Sequence, residues 1–180
     1  MAARLVCALR EEAISLATRL VKTVMVASTA LFALLVAFNN LVDYGSNYEF
    51  VRHTLSMDTT FPGSALIGRA IIEPALWRTA YWSIILAEAA VGLILALAAM
   101  RLTANLKANS ACFNRAKKYA VVGAGLGFLL WFTGFMVVGG EWFAMWQSKT
   151  WNGQAAAFRF YMTLLAVIIF VSQPDGELDA

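Results

Sequence analysis

The chain has 180 residues, 61% of them hydrophobic and 14% charged, with mean hydropathy +0.67 and a formal net charge of +3. A soluble domain averages about 45–50% apolar and roughly 25% charged residues, so this composition excludes one and points to lipid-spanning helices. Most basic residues stand at the ends of apolar runs, which is a topology signal rather than a phosphate-binding face, so nucleic acid is not an expected partner.

Residues 1–19 place Leu5, Leu9, Ile14 and Leu16 among Arg4, Arg10, Glu11, Glu12 and Arg19, the pattern of a short amphipathic helix on the inner membrane surface. The basic region reaches Lys22, and no small-residue cleavage site ends the apolar run, so the segment reads as an uncleaved anchor. A first span is expected over about 21–42. A first outer loop, 43–76, follows. Pro62-Gly63 breaks structure within it, and residues 64–72 are apolar enough for a short helix lying on the membrane. Loops of this length are usually structured in their own right.

The second span, about 77–100, is bracketed by Trp77 and Trp82 at one end and Arg101 at the other, with Glu88 its one ionisable interior residue. An inner linker, 101–118, carries Arg101, Lys107, Arg115, Lys117 and Lys118 and no acid. The third span, 119–138, contains Gly123, Gly125, Gly127 and Gly134. A second outer loop, 139–154, holds Glu141, Trp142, Trp146 and Trp151, and a fourth span is expected over about 155–171. The acidic tail, 172–180, is expected to be mobile. The whole is a single membrane domain, an all-α integral membrane four-helix bundle with two structured outer loops.

Counting Lys and Arg places the N-terminus, the 101–118 linker and the C-terminus together on the cytoplasmic side of a bacterial inner membrane. Trp77, Trp82, Trp142, Trp146 and Trp151 then share the outer interface, where an indole keeps its ring in lipid and its N–H in water. Cys7 and Cys112 form no CxxC or CxxCH motif, which argues against a redox pair or attached haem.

Several stretches resemble a known family. Phe38-Asn39-Asn40, Asp43-Tyr44, Ser56 to Pro62, Ala80-Tyr81-Trp82, Glu88, the run from Gly139 to Ser148, Thr150 to Gln154, and Gln173-Pro174-Asp175-Gly176 are similar to a bacterial family of predicted small integral membrane proteins. The resemblance covers residues 20 to 178. It implies four spans in a bacterial inner membrane and no assigned activity.

Glu88 lies about midway between Trp77 and Arg101, a depth at which an ionised carboxylate costs several kcal/mol unless protonated or paired. It reads either as a proton or ligand site, or as a structural residue bonded to Thr133 or a backbone carbonyl. Gly123, Gly127 and Gly134 suit close helix packing; GAGLG lacks the rest of a dinucleotide fingerprint. His53, the only histidine, reads as solvated or bonded to a neighbouring acid. Asp43, Glu49, Asp58, Glu73 and Glu141 either gather round a calcium ion or pair with Arg52, Arg69, Arg78, Lys149 and Arg159 to tie the two outer loops together.

No nucleophile–base–orienter set is present, so a non-catalytic role is expected, with no cofactor and no metal. The first reading is an accessory or assembly subunit of a larger, energy-transducing membrane complex serving electron transport. It would meet membrane lipid and other membrane-protein subunits through Trp77, Trp82, Glu141, Trp142, Trp146 and Trp151. The alternative is a small transporter, channel or ligand-binding membrane protein using Glu88.

Overall fold

The computed structural model describes residues 2–178, with side chains from residue 13 onward. The regular elements among them are helical: α1 (Ala2–Val42), α2 (Tyr44–Ser56), α3 (Pro74–Ala104), α4 (Ser110–Ala116), α5 (Lys118–Leu129) and α6 (Gln154–Ser172). Beyond Leu129 the α5 coil widens into a π-helix over Leu130–Trp142. Ala13–Val42, Pro74–Ala104, Ser110–Trp142 and Gln154–Ser172 are long and apolar enough to cross a bilayer. The protein is an integral membrane four-helix bundle.

Local chemistry sets the helix ends. α3 opens on Pro74, whose missing N–H costs nothing in the first turn, and the Glu73 carboxylate accepts from the Ala75 amide at 3.4 Å. Asn109 caps α4 by accepting from the Cys112 amide at 2.9 Å. α2 stops where Met57 turns left-handed, at φ 54°.

The bundle packs α1 on α3 and α5 on both α3 and α6. Val26, Leu95, Trp131, Leu164 and Val171 fill its core. Helices in lipid gain little from hydrophobicity toward one another, so close approach must hold them. Small residues permit it. A Cβ on Gly92 would stand 2.7 Å from the Leu34 side chain and 3.0 Å from its backbone nitrogen. Gly123 packs on Leu95 of α3, and Gly127 packs on Leu164 of α6 and Val91 of α3.

α1 is one continuous helix, since no glycine or proline interrupts residues 2–42; the amphipathic face of residues 1–12 lies outside the described side chains. Three features differ from the sequence reading. Within the first loop the helix occurs at Tyr44–Ser56, while the apolar stretch 64–72 yields only a 3₁₀ turn at Ile67–Arg69. Gly134 serves no helix packing, since a Cβ there would meet nothing within 4 Å. Finally, the tail through Glu177 is docked on the bundle rather than mobile, held by buried cations.

Candidate functional site

α1 ends far short of α3 at the tryptophan-rich end of the bundle. α2 and the two loops fill the space this leaves. The cap is knit by few bonds: the Ile71 amide donates to the Leu55 carbonyl at 2.8 Å, the Trp77 indole N–H to the Ile71 carbonyl at 2.7 Å, and the Phe61 amide to Gln147 Oε1 at 3.1 Å. The Thr59 hydroxyl donates to Ser148 Oγ at 2.9 Å, and Met57, Phe143 and Ala144 form a small buried core under the loops.

Beneath this cap lies Glu88. It is 2% exposed, and its Oε2 accepts from the Asn40 side-chain amide at 2.6 Å. The Asn40 carbonyl accepts from the buried Tyr81 hydroxyl at 2.9 Å, so α1 and α3 are joined by one polar cluster. The structural partner of Glu88 is therefore Asn40, not Thr133, which is exposed. Along α3 Glu88 lies midway, 14 residues from Pro74 and 16 from Ala104, and it meets α1 at Asn40, two residues before that helix ends at Val42.

Glu88 borders a cavity of about 210 Å³ walled by Phe50, Tyr81, Trp131, Phe135 and Phe160. Asn47 and Ala156, both exposed, mark its mouth. A second cavity of about 210 Å³ lies beyond Phe50 and Phe135, whose rings stack with centroids 6.1 Å apart. That chamber is almost wholly apolar and opens beside the exposed Gly134 and Val138 of the π-helix. Its one buried polar feature is Thr54 Oγ1, which has no hydrogen-bond partner. Among the described residues, no Lys, Arg or His lines either chamber.

The other candidates disperse over the cap. Trp142 and Trp146 are 55% and 47% exposed, with Arg69 stacked over the Trp142 ring and its guanidinium donating to the Trp142 carbonyl at 3.1 Å. Trp151 lies flat against His53, ring centroids 4.6 Å apart, and Trp77 is half-buried. Trp82 is exposed near Tyr44. The acids do not converge on a cation: Glu49 and Asp58 pair with Arg52 and His53, Glu73 caps α3, and Glu141 is exposed. Among the described residues the loops are linked by Thr59 to Ser148, Phe61 to Gln147 and Arg69 to the Glu141 and Trp142 carbonyls, not by an ion pair with a loop acid.

At the basic end, Arg19, Lys22 and Lys117 are all buried around the chain turn at 173–176. Lys22 meets the Asp175 carboxylate at 2.8 Å, and Lys117 pairs with the same group. Both lysines donate to the Gln173 carbonyl at 2.7 Å. Arg19 donates to the carbonyls of Leu106, Ala108 and Gly176. From sequence these cations read as interfacial charges, and the one signal of their burial is the single aspartate in Gln173-Pro174-Asp175-Gly176.

Residues 18–174 match the family described as "Predicted small integral membrane protein (DUF2165)". The chain belongs to this family. The match spans Arg19 and Lys22, Asn40, the whole cap and Glu88. No curated protein and no solved structure matches the chain.

Proposed function

We propose that this protein is a non-catalytic binding protein of the bacterial inner membrane that holds a small lipophilic molecule beside Glu88, beneath its aromatic cap. The observation that carries the reading is a buried carboxyl, hydrogen-bonded only to a neutral amide, bordering an aromatic-walled cavity with a mouth at Asn47 and Ala156. Ionisable groups inside membrane bundles are costly and tend to mark ligand or ion positions. This reading takes both termini as cytoplasmic and the cap as outer, supported by the excess of Lys and Arg in the N-terminal segment and the 101–118 linker.

The chain purified in mild detergent, then extracted into organic solvent and analysed by mass spectrometry, tests this reading. A stoichiometric small molecule lost in Ala156→Phe, which fills the mouth and spares Glu88, is the expected result. An empty protein that also binds no added lipophile would overturn it.

A second reading keeps one observation in its favour. Exposed Trp142 and Trp146 are the residue type that anchors protein interfaces, as an accessory subunit of an energy-transducing complex would need. Co-purification of a stoichiometric large complex, released by replacing both tryptophans with Ala and retained in Glu88→Gln, would establish it.

A further inference from the structure

The cavity beside Glu88 has a chemistry narrower than lipophilic. We propose that it is a site for a small organic monocation, an amine or quaternary ammonium bearing an aromatic or short alkyl body. The proposal rests on the binding reading above and specifies its ligand class.

A carboxylate removed from water needs a positive partner, and none stands at Glu88 among the described residues. Asn40 is neutral, and among the described residues Glu88 and Tyr81 are the only titratable side chains on the cavity wall. The wall contributions of α1, α2, the π-helix and α6 are apolar, aromatic or amide. Tyr44 packs on Tyr81 with ring centroids 4.8 Å apart, and Asp43 lies just beyond Asn40; neither brings positive charge. The missing charge must therefore be a proton or a cation from outside.

The walls choose between classes of cation. Calcium and similar hard ions need several oxygen ligands, whereas this cavity presents one carboxyl among five aromatic side chains. Aromatic faces attract organic cations through their quadrupole, and quaternary ammonium groups are held in this way. Size agrees. An apolar cavity of about 150 Å³ accepts benzene, so the 210 Å³ here accommodates a phenyl-substituted ammonium. A longer body extends past Phe50 and Phe135 into the apolar chamber, where the free Thr54 hydroxyl offers one further polar contact.

Binding is an exchange. In the empty site the Glu88 carboxyl keeps its proton. As the ammonium enters, the O–H bond breaks, the proton leaves to water through the mouth, and the carboxylate faces the cation. Charge in the cavity is conserved, and affinity falls as pH falls.

The test uses the full chain in lipid nanodiscs, titrated calorimetrically with benzyltrimethylammonium chloride and with neopentylbenzene, its neutral carbon isostere. The expected result is saturable one-to-one binding of the cation, weaker at lower pH and reduced about tenfold or more by Glu88→Gln. Ala156→Phe leaves the Glu88–Asn40 pair in place and should abolish binding, which keeps the test decisive if Glu88→Gln does not fold. Equal binding of the neutral isostere, or full binding by Glu88→Gln, overturns the cation assignment while leaving a ligand cavity. Binding of neither probe overturns the assignment, and an empty purified protein then removes the broader reading as well.

Discussion

Lys22 and Asp175 meet at 2.8 Å with both side chains almost fully buried, although 153 positions separate them in sequence. The pair closes the basic end of the bundle, tying α1 to the segment that follows α6. Lys117 shares the carboxylate, so one acid neutralises two buried cations. Asp175→Asn keeps the shape and removes that charge. Breaking a buried pair from one side costs about 3–5 kcal/mol. We expect a loss of this size in chemical unfolding in micelles; a midpoint unchanged from wild type would show that the cations are already neutralised by something else.

Two glycines two residues apart should respond oppositely. Gly125 faces open space and Gly127 packs on Leu164, where a Cβ would approach to 2.8 Å. Gly125→Ala should stabilise by about 0.5–1 kcal/mol, since alanine restricts the unfolded chain and favours helix. Gly127→Leu should destabilise by about 1–3 kcal/mol through overpacking. Thermal unfolding of the two variants side by side would reveal the contrast, and a shared sign would contradict the packing described.

Thr54 offers a gain in stability. Its hydroxyl is buried without a partner, an omission worth about 1–3 kcal/mol against the folded state. Thr54→Val should raise the unfolding midpoint of the empty protein. A lower midpoint would mean that the hydroxyl has a partner in solution.

The tail carries a pH response. The Ser110 hydroxyl and backbone N–H both donate to Glu177, and these bonds hold its carboxyl below the ordinary 4.5. The bonded form is the carboxylate, so the tail's attachment is complete above that ordinary value and weakens as pH falls through the depressed one. Ser110→Ala should move the Glu177 titration upward toward 4.5, read by carbon-13 NMR of its side-chain carboxyl. An unmoved titration would place the tail free of Ser110.

The four crossings were legible because twenty-residue apolar stretches have few other physical uses. Glu88 was legible as an exception to that apolarity. Its partner was not. Asn40 stands near the end of a span where amide residues are commonplace, and it meets Glu88 because α1 stops at Val42 while α3 continues beyond that level to Pro74. The α2 helix was legible in its spacing, since Tyr44, Tyr48, Val51 and Leu55 recur at helical intervals and pack on α3, but the polar residues between them make the stretch read as loop. Arg19 and Lys22 misled for the opposite reason. Cations at a span's end normally mark the water interface, and nothing local shows that a turn some 150 residues away buries them.

That distance has a bearing on biogenesis. α1 enters the membrane with Arg19 and Lys22 open to water and lipid headgroups, and residues 173–177 emerge from the ribosome only after α6. At about 5–20 residues per second, Lys22 waits roughly 8–30 s for the Gln173 carbonyl and the Asp175 carboxylate, whereas Arg19 meets the Leu106 and Ala108 carbonyls earlier. During that interval the bundle stands open at its basic end, so a chain arrested before residue 173 would leave Lys22 and Lys117 without the acid that neutralises them.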